Sequence, residues 1–202
     1  MTIAERFPEG DIDTREAIML ATYEALCEHG YAALTIERID NEFPKSKSLL
    51  YHHYDSKDDL LLDFLEYLLS VLPPDLAPDG VGGPRARLEA IIGYIITTDS
   101  GRADDDFLGA LVELRAQAVN DADYREHFTR SDVDFHARIE NVLQDGVEAG
   151  VFQDHDTDAA ATFLNTLLHG ALQRRVTSDE PRLDVVREQL ERYLNSVVYT
   201  EE

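Results

Sequence analysis

All three lysines of the chain lie between residues 45 and 57, in a segment that also carries Ser46, Ser48, Tyr51, the pair His52 and His53, and Tyr54. Ammonium, hydroxyl and phenol groups donate hydrogen bonds to phosphate oxygens, and imidazole reaches phosphates or base edges. The formal net charge is −23, yet residues 43–57 hold three Lys against one Asp, and residues 46–54 hold no acid. A polyanion is repelled by the rest of such a chain and admitted at this patch. The pattern predicts a locally confined contact with a nucleic acid.

The elements around the patch must present it on a surface. Asp13-Thr-Arg-Glu16 has the spacing of a capping box and starts a first helix that runs to about His29, burying Ala17, Ile18, Ala21, Ala25 and Leu26, with Gly30 ending it. Thr35 caps a short second helix, Ile36 to about Glu42, which Phe43-Pro44 breaks. A third helix follows from about Ser46 to Tyr54. Ser56 and Asp59 then cap a fourth, about 57–72, too rich in leucine for a single apolar stripe. Pro73-Pro74 and the Pro/Gly stretch to Pro84 read as a boundary loop. Beyond it, helices are predicted over 84–98, 106–120, 124–148, 156–176 and 181–198, with no strand-like alternation of useful length.

Two short helices joined by a tight turn, the second rich in hydroxyl, basic and aromatic groups, form a helix-turn-helix arrangement. The residues Gly30-Tyr31, Leu34-Thr35-Ile36, Ile39 and then Ser46 to Leu61 resemble the TetR/AcrR transcriptional regulators. The match covers about residues 14–62 and meets that family's closing pattern at Leu50, Tyr51, His53, Tyr54, Lys57, Asp59 and Leu60. The turn departs from it, with Phe43, Pro44 and Lys45 where a small residue, Gly and Val are common. Pro44 can set the bend through its fixed φ, and Lys45 becomes a further phosphate contact.

The resemblance implies an all-α protein: a helix-turn-helix DNA-binding domain over 1–56 and a helical effector-binding and dimerisation domain over 57–202. It places Thr35 and Ile36 beside a phosphate, although the Thr35 hydroxyl serves equally as a plain cap. Lys47, Ser48 and Leu49 fall at the front of a recognition helix, Tyr51 matches a phosphate-binding tyrosine, and Lys57 matches a lysine that clamps the backbone. Leu50 and Tyr54 read as the packed face. Adjacent residues point to different faces of a helix, so one of His52 and His53 reaches the DNA while the other packs. The implied protein is a ligand-responsive regulator, a repressor in the family's common mode, which binds palindromic double-stranded operator DNA as a homodimer and releases it on binding a small molecule. A helical dimer that has lost DNA binding and acts through protein contacts is the alternative.

For the second domain, Tyr94, Phe107, Leu111, Phe128, Phe135 and His136 are candidates to line an effector pocket, and plain core explains them as well. Apolar positions on the last two helices, including Phe163, Leu172, Leu183, Leu190, Tyr193, Leu194 and Val197, are candidates for the dimer interface. Asn165, His169 and Gln173 form a polar track that faces a partner or a ligand.

Helical carboxylate enzymes need paired Glu-x-x-His motifs, and none occurs: Leu26, Leu49, Leu50, Tyr124, Val133, Phe152 and Thr166 stand three before the seven histidines. No catalytic site, metal or cofactor is expected, and Asp132, His136 and Glu140 read as a solvated charge stripe. Cys27, the single cysteine, reads as a small core residue. Scarce lysine with abundant carboxylate predicts a halophilic protein. The chain opens on no basic-then-apolar leader and has no bilayer-length apolar run, so a cytoplasmic location without membrane contact is expected.

Overall fold

The computed structural model describes residues 13–44, 47–71, 82–96 and 102–200. They form α1 (Thr14–His29), α2 (Ile36–Glu42), α3 (Lys47–His53), α4 (Lys57–Val71), α5 (Pro84–Ile95), α6 (Arg102–Gln117), α7 (Ala122–Glu148), α8 (Thr157–Thr177) and α9 (Leu183–Tyr193). A 3₁₀ turn at Tyr31–Ala33 and a π-helical turn at Leu194–Val198 complete the described elements. Two compact units result, one of residues 1–72 and 101–129, the other of 73–100 and 130–202. Packing thus divides the chain differently from the division of roles at residues 56 and 57, because α6 and the start of α7 join the N-terminal helices.

Local chemistry explains the helix starts. The Asp13 carboxylate accepts from the Glu16 amide at 2.8 Å and Glu16 accepts from the Asp13 amide at 3.1 Å, closing the capping box. Gly30 ends α1 with φ +70 and an extended ψ of 162, a region open to glycine alone rather than the left-handed helical one. Its amide donates to Leu26 O at 2.8 Å. Thr35 Oγ1 accepts from the Arg38 amide at 3.3 Å, and Ser56 Oγ from the Asp59 amide at 3.1 Å.

In the first unit α1 packs against α2, α4 and α6, and α4 also meets α6. Leu60, Leu61, Phe64, Leu65 and Leu68 of α4 are all fully buried, a face wide enough to be covered on more than one side. Phe107, Leu108 and Leu114 of α6 and Tyr124 of α7 are buried in the same unit. The core of the second unit joins Leu88, Ile91, Leu143, Leu164, Leu168 and Leu190, among others, from α5, α7, α8 and α9.

Three expectations are corrected. The sixth helix begins at Arg102, four residues before Asp106. The last α-helix stops at Tyr193, where the ladder widens into the π-helical turn. Cys27 is exposed on α1 rather than packed in the core. Neighbouring atoms nevertheless crowd its sulfur, and this desolvation, aided by the carboxylates of Asp106, Glu113 and Glu24, pushes the thiol up to about 11. Alkylation of Cys27 is therefore expected to be slow at neutral pH and to accelerate through the thiol's own range; rapid labelling at pH 7 would contradict the crowding.

Candidate nucleic-acid interface

The site is built on α3, and α3 is held from beneath. Leu50 is fully buried. Tyr54, the residue after the helix, is half-buried and donates its hydroxyl to Asp63 on α4. Asp63 also accepts from Arg15 on α1, with Arg15 Nε 3.1 Å from Asp63 Oδ2. Burial raises the Asp63 carboxyl, but the hydrogen bonds from Arg15 and Tyr54 outweigh it and leave the pKa below its ordinary value. The same desolvation, with the bond to Asp63, pushes the Tyr54 phenol well up. Tyr54 therefore stays a neutral donor.

The opposite face is open. Tyr51 is 62% exposed, and His52 and His53 are exposed beside it. Their rings meet edge-on with centroids 6.1 Å apart, so neither packs inward, against the expectation that one of the pair would. Leu49 is partly buried. Lys47 and Ser48 stand in the first turn of α3. Lys45 and Ser46 lie outside the described residues. At the other end Lys57 Nζ sits 4.7 Å from the centroid of the Tyr31 ring, which holds the ammonium by cation–π attraction. Thr35 is exposed and caps α2, and Ile36 is partly buried.

Spacing on one helix did not reveal Arg15, Tyr31 and Asp63 as supports. Tyr54 and Asp63 are nine residues apart with a turn between them, and no helical period connects such a pair.

The six pocket candidates divide between the two units. Phe107, Leu111 and Phe128 are buried in the first unit, where the Arg115 guanidinium covers the Phe128 ring at 4.5 Å. Tyr94 and Phe135 pack at the edge of the second core, and His136 lies 3.0 Å from Asp158. A cavity of about 380 Å³ in the second unit is lined by Arg85, Ile92, Arg187, Leu190, Leu194 and Tyr199, among others. Of the interface candidates, Leu183, Leu190 and Leu194 are buried in their own core, Leu172 packs against it, and Gln173 is exposed. Asn165 Nδ2 donates to Asp132 O at 3.5 Å, and His169 lies 3.6 Å from the Asp132 carboxylate, so this part of the polar track faces α7. What the last helices leave exposed is Phe163, stacked 4.5 Å from the Tyr193 centroid, and Val197. Among the described residues no helix is long and apolar enough to cross a membrane.

Comparison with known proteins gives this arrangement a family. Residues 18–64 match bacterial regulatory proteins of the tetR family, and residues 84–198 match the family described as BetI-type transcriptional repressor, C-terminal. A crystal structure of a TetR transcription regulator from Haloarcula marismortui is 34% identical, covers 92% of this chain and 98% of its own, and superposes with a TM-score of 0.82. A transcriptional regulator from Saccharomonospora viridis, solved with choline, shares the fold at 21% identity and a TM-score of 0.78 over 93% of this chain and 98% of its own. The transcriptional repressor AcnR of Corynebacterium glutamicum is 24% identical over 82% of this chain and 83% of its own length. With both regions matched, the chain belongs to the TetR family of DNA-binding transcriptional regulators, with a BetI-type C-terminal region.

Proposed function

We propose that the chain is a ligand-responsive repressor that grips a palindromic operator as a homodimer through residues 46–54 and lets go when a small molecule binds. The observation that carries this reading is the acid-free, exposed ridge of α3, with Tyr51, His52 and His53 outward and Lys57 poised on Tyr31, in a chain of net charge −23. Two such helices related by a two-fold axis read half-sites about 34 Å apart. Tyr51 and Lys47 hold phosphates, while Ser48, Leu49 and the histidines lie nearer the bases. Residues 57–202 carry the effector site and the dimer contact, for which Phe163 and Val197 are the exposed apolar anchors. The relative solved with choline supports a small-molecule effector. A helical dimer without DNA binding gains no support from the match over residues 18–64.

The acidic surface adds a salt dependence. DNA affinity ordinarily falls steeply with salt because binding releases counterions. Here added cations also screen the repulsion between acidic flanks and DNA, so a chain adapted to concentrated salt keeps its affinity as KCl rises. Fluorescence anisotropy with the DNA upstream of the chain's own gene, across a KCl series, tests both points. Lys47→Ala is expected to weaken binding roughly tenfold, the worth of one charged hydrogen bond, and Tyr51→Phe about threefold. Equal affinity for all three proteins would displace the recognition helix. A steep loss of wild-type affinity with KCl would remove the salt adaptation alone.

A further inference from the structure

On α7, His136 and Glu140 stand one turn apart, and Asp158 in the first turn of α8 reaches the same point. His136 Nε2 lies 3.0 Å from Asp158 Oδ1 and 3.9 Å from Glu140 Oε2. One oxygen or nitrogen from each of the three side chains lies within 4.8 Å of the other two. All three residues belong to the second compact unit. The His136 and Glu140 side chains are 23% and 28% exposed and that of Asp158 is 74% exposed. Two ligands are thus held by packing, and the third leaves the point open to solvent.

Glu140 Oε1 accepts from Gln144 Nε2 at 2.9 Å, which leaves its other oxygen, Oε2, toward His136 Nε2 at 3.9 Å, beyond hydrogen-bond reach. Two carboxylates that converge on one point of an acidic protein repel each other, and a cation between them removes the repulsion. The two spacings from His136, 3.0 and 3.9 Å, suit one: donors that share an ion at about 2.1 Å sit roughly 3 to 4 Å apart. The imidazole distinguishes this cluster from acidic runs such as Asp104-Asp105-Asp106, whose hard oxygens favour Mg²⁺ or Ca²⁺. One ring nitrogen with two carboxylates suits zinc, manganese or ferrous iron.

We propose that His136, Glu140 and Asp158 form a divalent transition-metal site that ties α7 to α8, with water in the remaining coordination positions. The site is independent of the DNA-reading helix. Asp132, in register with His136 and Glu140 on α7, lies beside His169 instead, so the ligand from the second helix completes a set that the spacing on α7 does not provide.

The test is calorimetric titration of the full-length, tag-free chain with Zn²⁺ in metal-free buffer, paired with thermal unfolding. One Zn²⁺ per chain is expected, together with a rise in melting temperature. His136→Gln should abolish both, and Asp158→Asn, at a position too exposed to disturb folding, should weaken binding about tenfold or more. Magnesium should not compete at equal concentration. Absence of saturable Zn²⁺ binding, unchanged affinity in Asp158→Asn or His136→Gln, or Mg²⁺ binding as tight as Zn²⁺ would each overturn the assignment.

Discussion

Gly146→Ala is expected to melt well below the wild-type protein, although alanine in place of glycine inside a helix ordinarily stabilises by about 1 kcal/mol. Gly146 lies in the closing turns of α7, and a Cβ built there would sit 2.6 Å from Phe152 Cγ and closer still to Cδ2 and Cε2. The ring has no exit. Phe152 is buried, its amide donates to Gly146 O at 3.0 Å, and its ring packs on Tyr199 with centroids 5.5 Å apart. The Gln153 amide, next along the chain, donates to Val198 O at 2.8 Å and pins the segment to the C-terminal turn. Overpacking of a fixed core costs about 1 to 3 kcal/mol and more where nothing can shift. A net loss near 2 kcal/mol after the helical gain lowers the melting temperature by roughly 4 to 8 °C for a chain of this size. Adding Phe152→Leu to Gly146→Ala should restore part of the loss, since the two positions share one volume. A Gly146→Ala protein that melts at or above the wild type would show that Phe152 packs elsewhere.

Asp63→Ala should act on the first unit and on DNA binding together. The carboxylate accepts from Arg15 on α1 and from Tyr54 at the end of α3, so it links the helix that presents Tyr51 to both α1 and α4. Its loss leaves the half-buried Tyr54 hydroxyl without its acceptor, and about 2 kcal/mol of stability goes with the charged hydrogen bonds. Operator affinity should fall as the end of α3 frays. The pH dependence has a definite sign. The folded pKa of Asp63 is lowered, so its stabilisation is complete above the unfolded value of about 3.9 and is lost as pH falls through the lower folded value. Asp63→Asn, compared with wild type by urea unfolding at neutral pH and near pH 3, should be the less stable protein at neutral pH and close to it in acid. An unchanged gap at both pH values would mean that the carboxylate charge contributes nothing.

Much of the fold is legible in single helices. Asp13 with Glu16, Thr35, and Ser56 with Asp59 announce their helix starts because capping bonds span three residues and leave a local signature. The acid-free run at 46–54 is equally local, and the family resemblance extends it. What fails to show is any fact that depends on which helix faces which. Phe107 and Phe135 read alike as apolar helical residues, yet one is buried in the first unit and the other borders the second core. Leu183, Leu190 and Leu194 have the period of an interface, and a core supplies the same period. Asp158 joins His136 across two helices, and only packing makes them neighbours.

The π-helical turn at Leu194–Val198 bears on how this chain is compared with its relatives. The amide of Tyr199 donates to Leu194 O at 2.7 Å, five residues back rather than four, so one residue is absorbed without interrupting the helix. Leu190, Leu194 and Tyr199 thereby keep to one side although their intervals differ. An alignment that runs straight through this point against a chain with a regular final helix would put inward positions opposite outward ones from Tyr199 onward. A one-residue gap inside the helix, where gaps are usually forbidden, restores the match.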